Sequence, residues 1–130
     1  MSVRYQVAQK LHACTERYAD GRPNERFRDL IDVQLLRALV ADGDMPAVRE
    51  ACLEIFELRA HHAWPPDVTV WPAWGEGFRA MAADVSFHTL DVEVAAEDLR
   101  AFIAEIDAAD RAATHHGRGG SGPEGISTAT

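Results

Sequence analysis

Apolar residues recur with helical spacing through the first third of the chain. In residues 3–19, Val7, Leu11, Cys14 and Tyr18 follow at intervals of four, three and four, which is the pattern of one helical face. Residues 26–41 predict a second helix, and its apolar positions cover nearly the whole circumference. Because a helix that is apolar all round is usually enclosed, we expect this one to be buried.

Three further helices are predicted downstream. Asp44 is suited to the N-cap, and Pro46 to the first turn, of a helix over residues 45–59. A short helix is predicted over residues 73–84. The last helix, about 90–112, would be capped by Thr89 or Asp91. It has the clearest amphipathic pattern in the chain, formed by Val92, Ala95, Ala96, Leu99, Phe102, Ile103 and Ile106.

The remaining segments are not helical in pattern. Residues 60–72 predict an ordered crossover rich in Trp and Pro, since proline interrupts helices and Trp64 and Trp71 would pin the segment to the bundle. No stretch makes a convincing strand. Residues 113–130 have little apolar content and predict a disordered tail. The fold class is therefore all-α: a compact bundle of about five helices over residues 1–112, whose short first loops favour antiparallel neighbours.

Charge is unevenly distributed along the 130 residues. The net charge is −8, yet residues 1–37 contain seven Lys/Arg against five Asp/Glu. A uniformly basic nucleic-acid binder is thus excluded, while the first 37 residues remain able to meet an anion. No apolar run approaches the roughly 18 residues that span a bilayer, and no signal-peptide pattern or disulfide framework is present. We expect a reduced, cytoplasmic protein without a membrane partner.

A cluster of charge falls on the first two predicted helices. Asp29 and Asp32 share a stripe of the second helix, Arg28 precedes Asp32 by one turn, and Lys10 borders the apolar stripe of the first helix. In an antiparallel hairpin the levels of Lys10 and Asp32 differ by only about 5 Å. They are therefore predicted to converge. Two interpretations remain open: an ion pair that locks the hairpin, or a cation held by a carboxylate and directed at a phosphate.

Other chemistry-bearing residues favour structural roles. His61 and His62, with Trp64, could form a metal or nucleotide platform, but adjacent histidines in a Pro-rich crossover are more often solvated or packed. Trp71 and Trp74 could stack on bases, but more often anchor a loop. His115 and His116 would bind metal only weakly in a flexible tail, and both cysteines are interpreted as core residues.

Four passages, in order, carry a resemblance to a known family. They are V-A-Q-K-L-H-A at residues 7–13, R-F-R-D-L-I-D at 26–32, F-E-L-R-A-H at 56–61 with W-P-P following, and W-G-E-G-F at 74–78. Together they resemble the distal helical half of the AbiEii/AbiGii-type nucleotidyltransferase toxins of bacterial toxin–antitoxin and abortive-infection systems. The resemblance covers about residues 5–107. One departure is Gln9, where the family often has Glu.

The resemblance implies specific roles for a few residues. Lys10 matches the family lysine that contacts the nucleoside triphosphate, and Asp32 matches the aspartate that completes the active site as a catalytic residue. Arg28 and Asp29 would lie next to Lys10 and Asp32 and help to position them. The family places its Gly-Ser motif and metal-binding carboxylate pair on a mixed sheet N-terminal to the helices, and no such sheet is found in this sequence. We therefore expect no metal ligand and no cofactor in this chain alone.

Three functions follow as hypotheses. The first is the helical half of a truncated or split nucleotidyltransferase, inactive alone. Completed by a catalytic half, it would use Mg²⁺ and a nucleoside triphosphate, with tRNA as the acceptor expected from the family. The second is a helical interaction module that binds an antitoxin or a toxin subunit without catalysis. The third is a relic of a disrupted gene that still folds.

Overall fold

The computed structural model describes residues 2–117, with side chains through Ala109. Five α-helices are present: α1 (Val3–Thr15), α2 (Arg28–Arg37), α3 (Met45–Arg59), α4 (Trp74–Asp84) and α5 (Val92–Gly117). A single 3-10 turn, Asp42–Asp44, leads into α3. No strand occurs within the described residues, so the predicted all-α class and the number of helices are confirmed.

The helix α1 lies between two others. It packs against both α2 and α3, and α5 packs against the same two helices, while α4 covers α5 and α2. The predicted neighbour relation between α2 and α3 is therefore wrong, because within residues 2–117 these two helices do not pack directly on each other. All five helices contribute core side chains that are completely enclosed: Val7, Ala8, Leu11, Leu30, Val33, Cys52, Phe78, Ala82, Ala95, Ala96, Leu99 and Ile106.

Asn24 ends α1 earlier than the apolar pattern predicts. The helix stops at Thr15 rather than residue 19, and Glu16 is already extended, at φ −70° and ψ 136°. The Asn24 side-chain amide donates to the carbonyls of Ala13 and Glu16, both at 2.8 Å. The last carbonyls of a helix need partners from outside the helix. Asn24 supplies them from a position in the following loop.

The helix α2 differs from its prediction in length and burial. It ends at Arg37 rather than residue 41, because the next amides donate to carbonyls only three residues back, Leu39 to Leu36 and Val40 to Arg37. The expected burial all round is also wrong, since Leu35 is 59% exposed and Leu39 is 68% exposed. One side of α2 packs on its neighbours, and these two leucines lie outside that packing.

The crossover is held to the bundle as predicted. The indole nitrogen of Trp64 donates to Asp107 Oδ1 at 3.0 Å, and the guanidinium of Arg100 donates to the Val68 carbonyl at 2.8 Å. Trp71 packs against the core beneath the guanidinium of Arg17, which lies 5.8 Å from the ring centre. The tryptophans anchor the loop.

Asp91 caps α5, accepting from the Glu93 amide at 2.9 Å. The backbone of α5 continues to Gly117, past the predicted domain end at residue 112. The predicted tail, residues 113–130, lies outside the described side chains, and residues 118–130 lie outside the described chain altogether. The boundary at 112 and the disorder of the tail therefore stay predictions.

None of the helices described here combines the length and the apolar character that a transmembrane helix needs.

Asn24→Ala should destabilise the fold by about 2–4 kcal/mol, because it removes three side-chain hydrogen bonds and leaves two partly buried carbonyls without this partner. Asn24 is 1% exposed, and its carboxamide oxygen also accepts from the Arg26 amide at 2.7 Å. Urea unfolding followed by tryptophan fluorescence measures the loss. The matched control is Asp20→Ala in the same loop, where an exposed ion pair with Arg22 contributes less than about 1 kcal/mol. Equal losses for both variants would contradict the assignment to Asn24.

Candidate functional site

Lys10 and Asp32 converge as the sequence predicts. Lys10 lies on α1 and donates from Nζ to Asp32 Oδ2 on α2 at 3.2 Å. The same ammonium lies 3.5 Å from Asp29 Oδ1, one turn earlier on α2. The two carboxylates therefore hold one cation between the first two helices.

Asp29 occupies the buried position of this cluster. Its side chain is only 2% exposed, whereas that of Asp32 is 22% exposed. Arg26 donates from Nε to Asp29 Oδ2 at 3.0 Å. A desolvated carboxylate must be paired, and Lys10 and Arg26 provide that pairing from two sides.

Arg28 reaches the cluster from the solvent side. Its Nε lies 3.6 Å from Asp32 Oδ2, and its side chain is 70% exposed. Arg28 was expected in this cluster, and Arg26, which binds the more buried carboxylate, was not. The available signal was the spacing: Arg26 precedes Asp29 by three residues, which places the two side chains on one face of the first turn.

A cavity of about 350 Å³ opens beside the cluster. Its cationic lining comes from Lys10, Arg26 and Arg59, and Glu16 is its carboxylate. The volume is at the lower end for small-molecule sites. An excess of cations in a partly enclosed space favours an anionic ligand such as a phosphate group.

A second polar cluster lies near the same cavity, where the C-terminal ends of α1 and α3 meet. His12 is 2% exposed and stacks at a tilt on His62, with 4.5 Å between ring centres. His62 Nε2 lies 2.8 Å from the Thr15 hydroxyl oxygen. The imidazole of His61 also lies beside His12, with 5.9 Å between ring centres, and it contacts Glu16, with 2.6 Å between Nδ1 and Oε2.

Burial favours the neutral form of the His12 imidazole by lowering its pKa. Desolvation, followed by the neighbouring His62, lowers the pKa of His12 from its usual 6.5 to about 4. Desolvation likewise lowers the pKa of His62. His12 was not expected in a polar cluster. The spacing of its neighbours in the sequence does not show that α3 and the loop after it bury its side chain.

The cysteines belong to the core, as expected. Burial raises the pKa of the Cys14 thiol above its usual range and that of Cys52 to about 12. Both side chains are buried and free. A thiol held protonated in this way is a poor nucleophile and a poor metal ligand.

Comparison with known proteins gives one family. Residues 1–113 match the family model described as the nucleotidyl transferase AbiEii toxin of type IV TA systems. The match includes the Lys10 cluster, the cavity beside it and all five helices except the end of α5. No curated protein is similar enough to the chain to count as a match.

Asp29→Ala should destabilise the protein by about 2–3 kcal/mol, because Lys10 and Arg26 then lose the carboxylate that compensates their partial burial. Arg28→Ala should change the stability by less than about 0.5 kcal/mol, since its exposed pairing with Asp32 is screened by solvent. Chemical unfolding at neutral pH compares the two variants. A small effect of the Asp29 substitution would show that the ion pairs around it add little to the fold.

Stability should fall as the pH decreases from 6.5 toward 4. In this window His12 takes up a proton in the unfolded chain, where its pKa is 6.5, but not in the folded chain, where its pKa is about 4. The contribution of His12 to stability is therefore complete above the unfolded pKa and is lost as the pH falls toward the folded pKa. His12 should contribute a loss of roughly 2–3 kcal/mol. Urea unfolding at a series of pH values measures the slope, which His12→Gln should flatten. Parallel slopes for wild type and His12→Gln would refute the assignment.

Proposed function

The chain belongs to the AbiEii nucleotidyltransferase toxin family of type IV toxin–antitoxin systems, and on this premise we propose that it supplies the triphosphate-binding part of a nucleotidyltransferase site. Lys10 contacts the phosphates of a nucleoside triphosphate. Asp32 completes the site as its catalytic aspartate, and Arg28 and Asp29 support it. The observation that carries this proposal is the ammonium of Lys10, held by two carboxylates at the edge of a cation-lined cavity.

The geometry of Lys10 suits a phosphate ligand. An ammonium has three N–H donors, and Asp32 and Asp29 engage it from the side of α2. With 31% of its side chain exposed, Lys10 keeps a donor for a ligand in the cavity. The fixed orientation means that a phosphate oxygen meets a cation already in place, which lowers the entropic cost of binding.

Two further side chains that line the cavity place positive charge near the Lys10 ammonium. Arg26 and Arg59 line the cavity together with Lys10. Arginine binds phosphate oxygens through planar, bidentate hydrogen bonds. The tail of the triphosphate would therefore be surrounded by three cations, two of which also pair with the buried Asp29.

Asp29 and Asp32 do not fit Mg²⁺. This ion requires near-octahedral oxygen coordination, and nucleotidyl transfer depends on it to neutralise the phosphates. Asp29 is paired with Lys10 and Arg26, and Asp32 with Lys10 and Arg28, all within 4 Å. A divalent cation at these oxygens would be repelled by the neighbouring cations. We therefore propose that the chain is inactive alone and that a catalytic half contributes the Mg²⁺ site.

The partners follow from the same proposal. A missing catalytic half would complete the site, and a cognate antitoxin would control it, as the family description of a toxin implies. tRNA is the proposed acceptor of the transferred nucleotide. The acidic remainder of the chain does not by itself attract nucleic acid, so binding of tRNA would depend on the completed enzyme.

The alternative function is a helical interaction module. The exposed side chains of Leu35 in α2 and Leu39 in the turn after it favour it, because exposed apolar surface is used in contacts between proteins. A complex with an antitoxin or toxin subunit that survives Lys10→Ala and Asp32→Ala would support this module. Loss of the complex in those variants would tie the partner to the nucleotide site instead.

The first test is nucleotide transfer by the purified chain. Each α-labelled nucleoside triphosphate is incubated with Mg²⁺ and total tRNA, with Asp32→Ala as the control. We expect no incorporation by the folded protein. Incorporation that Asp32→Ala abolishes would show that this chain assembles a complete site and would overturn the proposed inactivity.

Lys10→Met should weaken the binding of nucleoside triphosphate about tenfold to a hundredfold, because one charge-assisted hydrogen bond to phosphate contributes roughly 1.5–3 kcal/mol. Calorimetric titration with ATP, GTP, CTP and UTP measures the change. Arg79→Ala is the control, since it removes an exposed cation of α4 that does not line the cavity. Equal affinity of wild type and Lys10→Met, or equal weakening in the control, would contradict the role of Lys10.

A further inference from the structure

We propose that His12, Glu16 and His61 form a binding site for a transition-metal ion, with Zn²⁺ as the ion that fits best. The site shares no ligand with the Lys10 cluster, although both border the same cavity, and its test does not depend on the proposed nucleotide binding. One ligand atom from each of the three residues lies within 4.8 Å of the other two. This is the one such group of metal-ligating side chains among the described residues.

The fold brings the three side chains together from two helix ends. His12 lies in the last turn of α1, and Glu16 is the first residue after it. His61 follows α3, where Ala60 adopts a left-handed conformation with φ 57° and turns the chain toward α1. Both helices direct their C-terminal ends at the site. The partial negative charge of those ends favours a bound cation.

The buried nitrogen of His12 is the second observation that points to a ligand. Its Nε2 is enclosed and has no hydrogen-bond partner among the described residues. A buried polar atom without a partner costs free energy. His12 also lines the cavity of about 350 Å³.

Small movements would complete the coordination. Two ligand atoms on one tetrahedral Zn²⁺ are about 3.4 Å apart, given metal–ligand distances of about 2.0–2.1 Å. Glu16 and His61 are now closer than this, at 2.6 Å, as a hydrogen-bonded pair. The side chain of His61 is 57% exposed and therefore free to rotate toward His12.

The donor set selects the class of metal. Two imidazole nitrogens and one carboxylate suit Zn²⁺ and its neighbours in the transition series, whereas Mg²⁺ and Ca²⁺ prefer all-oxygen sites. Three protein ligands also leave one coordination position open. Because His12 and Glu16 line the cavity, that position would be accessible from it.

The test measures Zn²⁺ uptake by the untagged full-length chain. His115→Ala and His116→Ala are included in every variant, so that the terminal histidine pair adds no binding. Equilibrium dialysis followed by metal analysis should find one bound Zn²⁺ per chain. Glu16→Gln and His61→Ala change partly or largely exposed side chains, and each should weaken binding at least about tenfold. His88→Ala removes an exposed histidine paired with Asp98 at 3.0 Å and should leave binding unchanged.

Co²⁺ provides a second readout of the same site. Bound in four-coordinate geometry, it should give strong visible absorption bands that Glu16→Gln and His61→Ala remove. Zn²⁺ should also raise the Tm of the parent protein but not of these variants, since only the folded site binds the metal. Zn²⁺ uptake that is the same in the parent and in both variants would overturn the proposal. So would an absence of uptake, which would leave the histidines as a packed aromatic cluster.

Discussion

The enclosure of α1 between α2 and α3 is the constraint on which the other features depend. Val7, Ala8 and Leu11 are completely buried there, so the helix has no freedom to rotate about its axis. Successive residues of a helix are separated by 100°, and residues two apart therefore face nearly opposite ways. Lys10 is thus directed at α2 while His12 is directed at α3 and the loop after it. A change in the packing of α1 would disturb both polar clusters at once.

The buried Asp29 connects folding to the candidate chemistry. A carboxylate at 2% exposure is favourable only with its compensating cations, so Lys10 and Arg26 are fixed by the requirements of the fold. The two interpretations of this cluster, a hairpin lock and a phosphate-binding cation, are therefore compatible. A lysine held rigidly for structural reasons is also preorganised for a ligand. What separates the interpretations is whether an anion enters the adjoining cavity.

The sequence was sufficient to predict those features that depend on residues close together in the chain. The amphipathic pattern of α5 and the Asp91 cap follow from helical spacing. Lys10 approaches Asp32 as predicted, although residues 16–27 connect α1 to α2 where a shorter loop was expected. The end of α1 did not follow, because Asn24 supplies its terminal partners from eight and eleven residues away. The exposure of Leu35 and the grouping of His12 with His61 also required tertiary structure, since a repeat of apolar residues does not show which faces find partners.

The cavity beside α1 has a consequence for how its ligands interact. Lys10 and Arg26 line it together with His12 and Glu16, within a volume of about 350 Å³. Two charged ligands bound in so small a volume would interact electrostatically. Each would then change the affinity of the protein for the other by the same factor. A cation near Glu16 would strengthen the attraction for an anion near Lys10. Binding at the C-terminal end of α1 and at its α2-facing side would thus be thermodynamically linked without any movement of the helices.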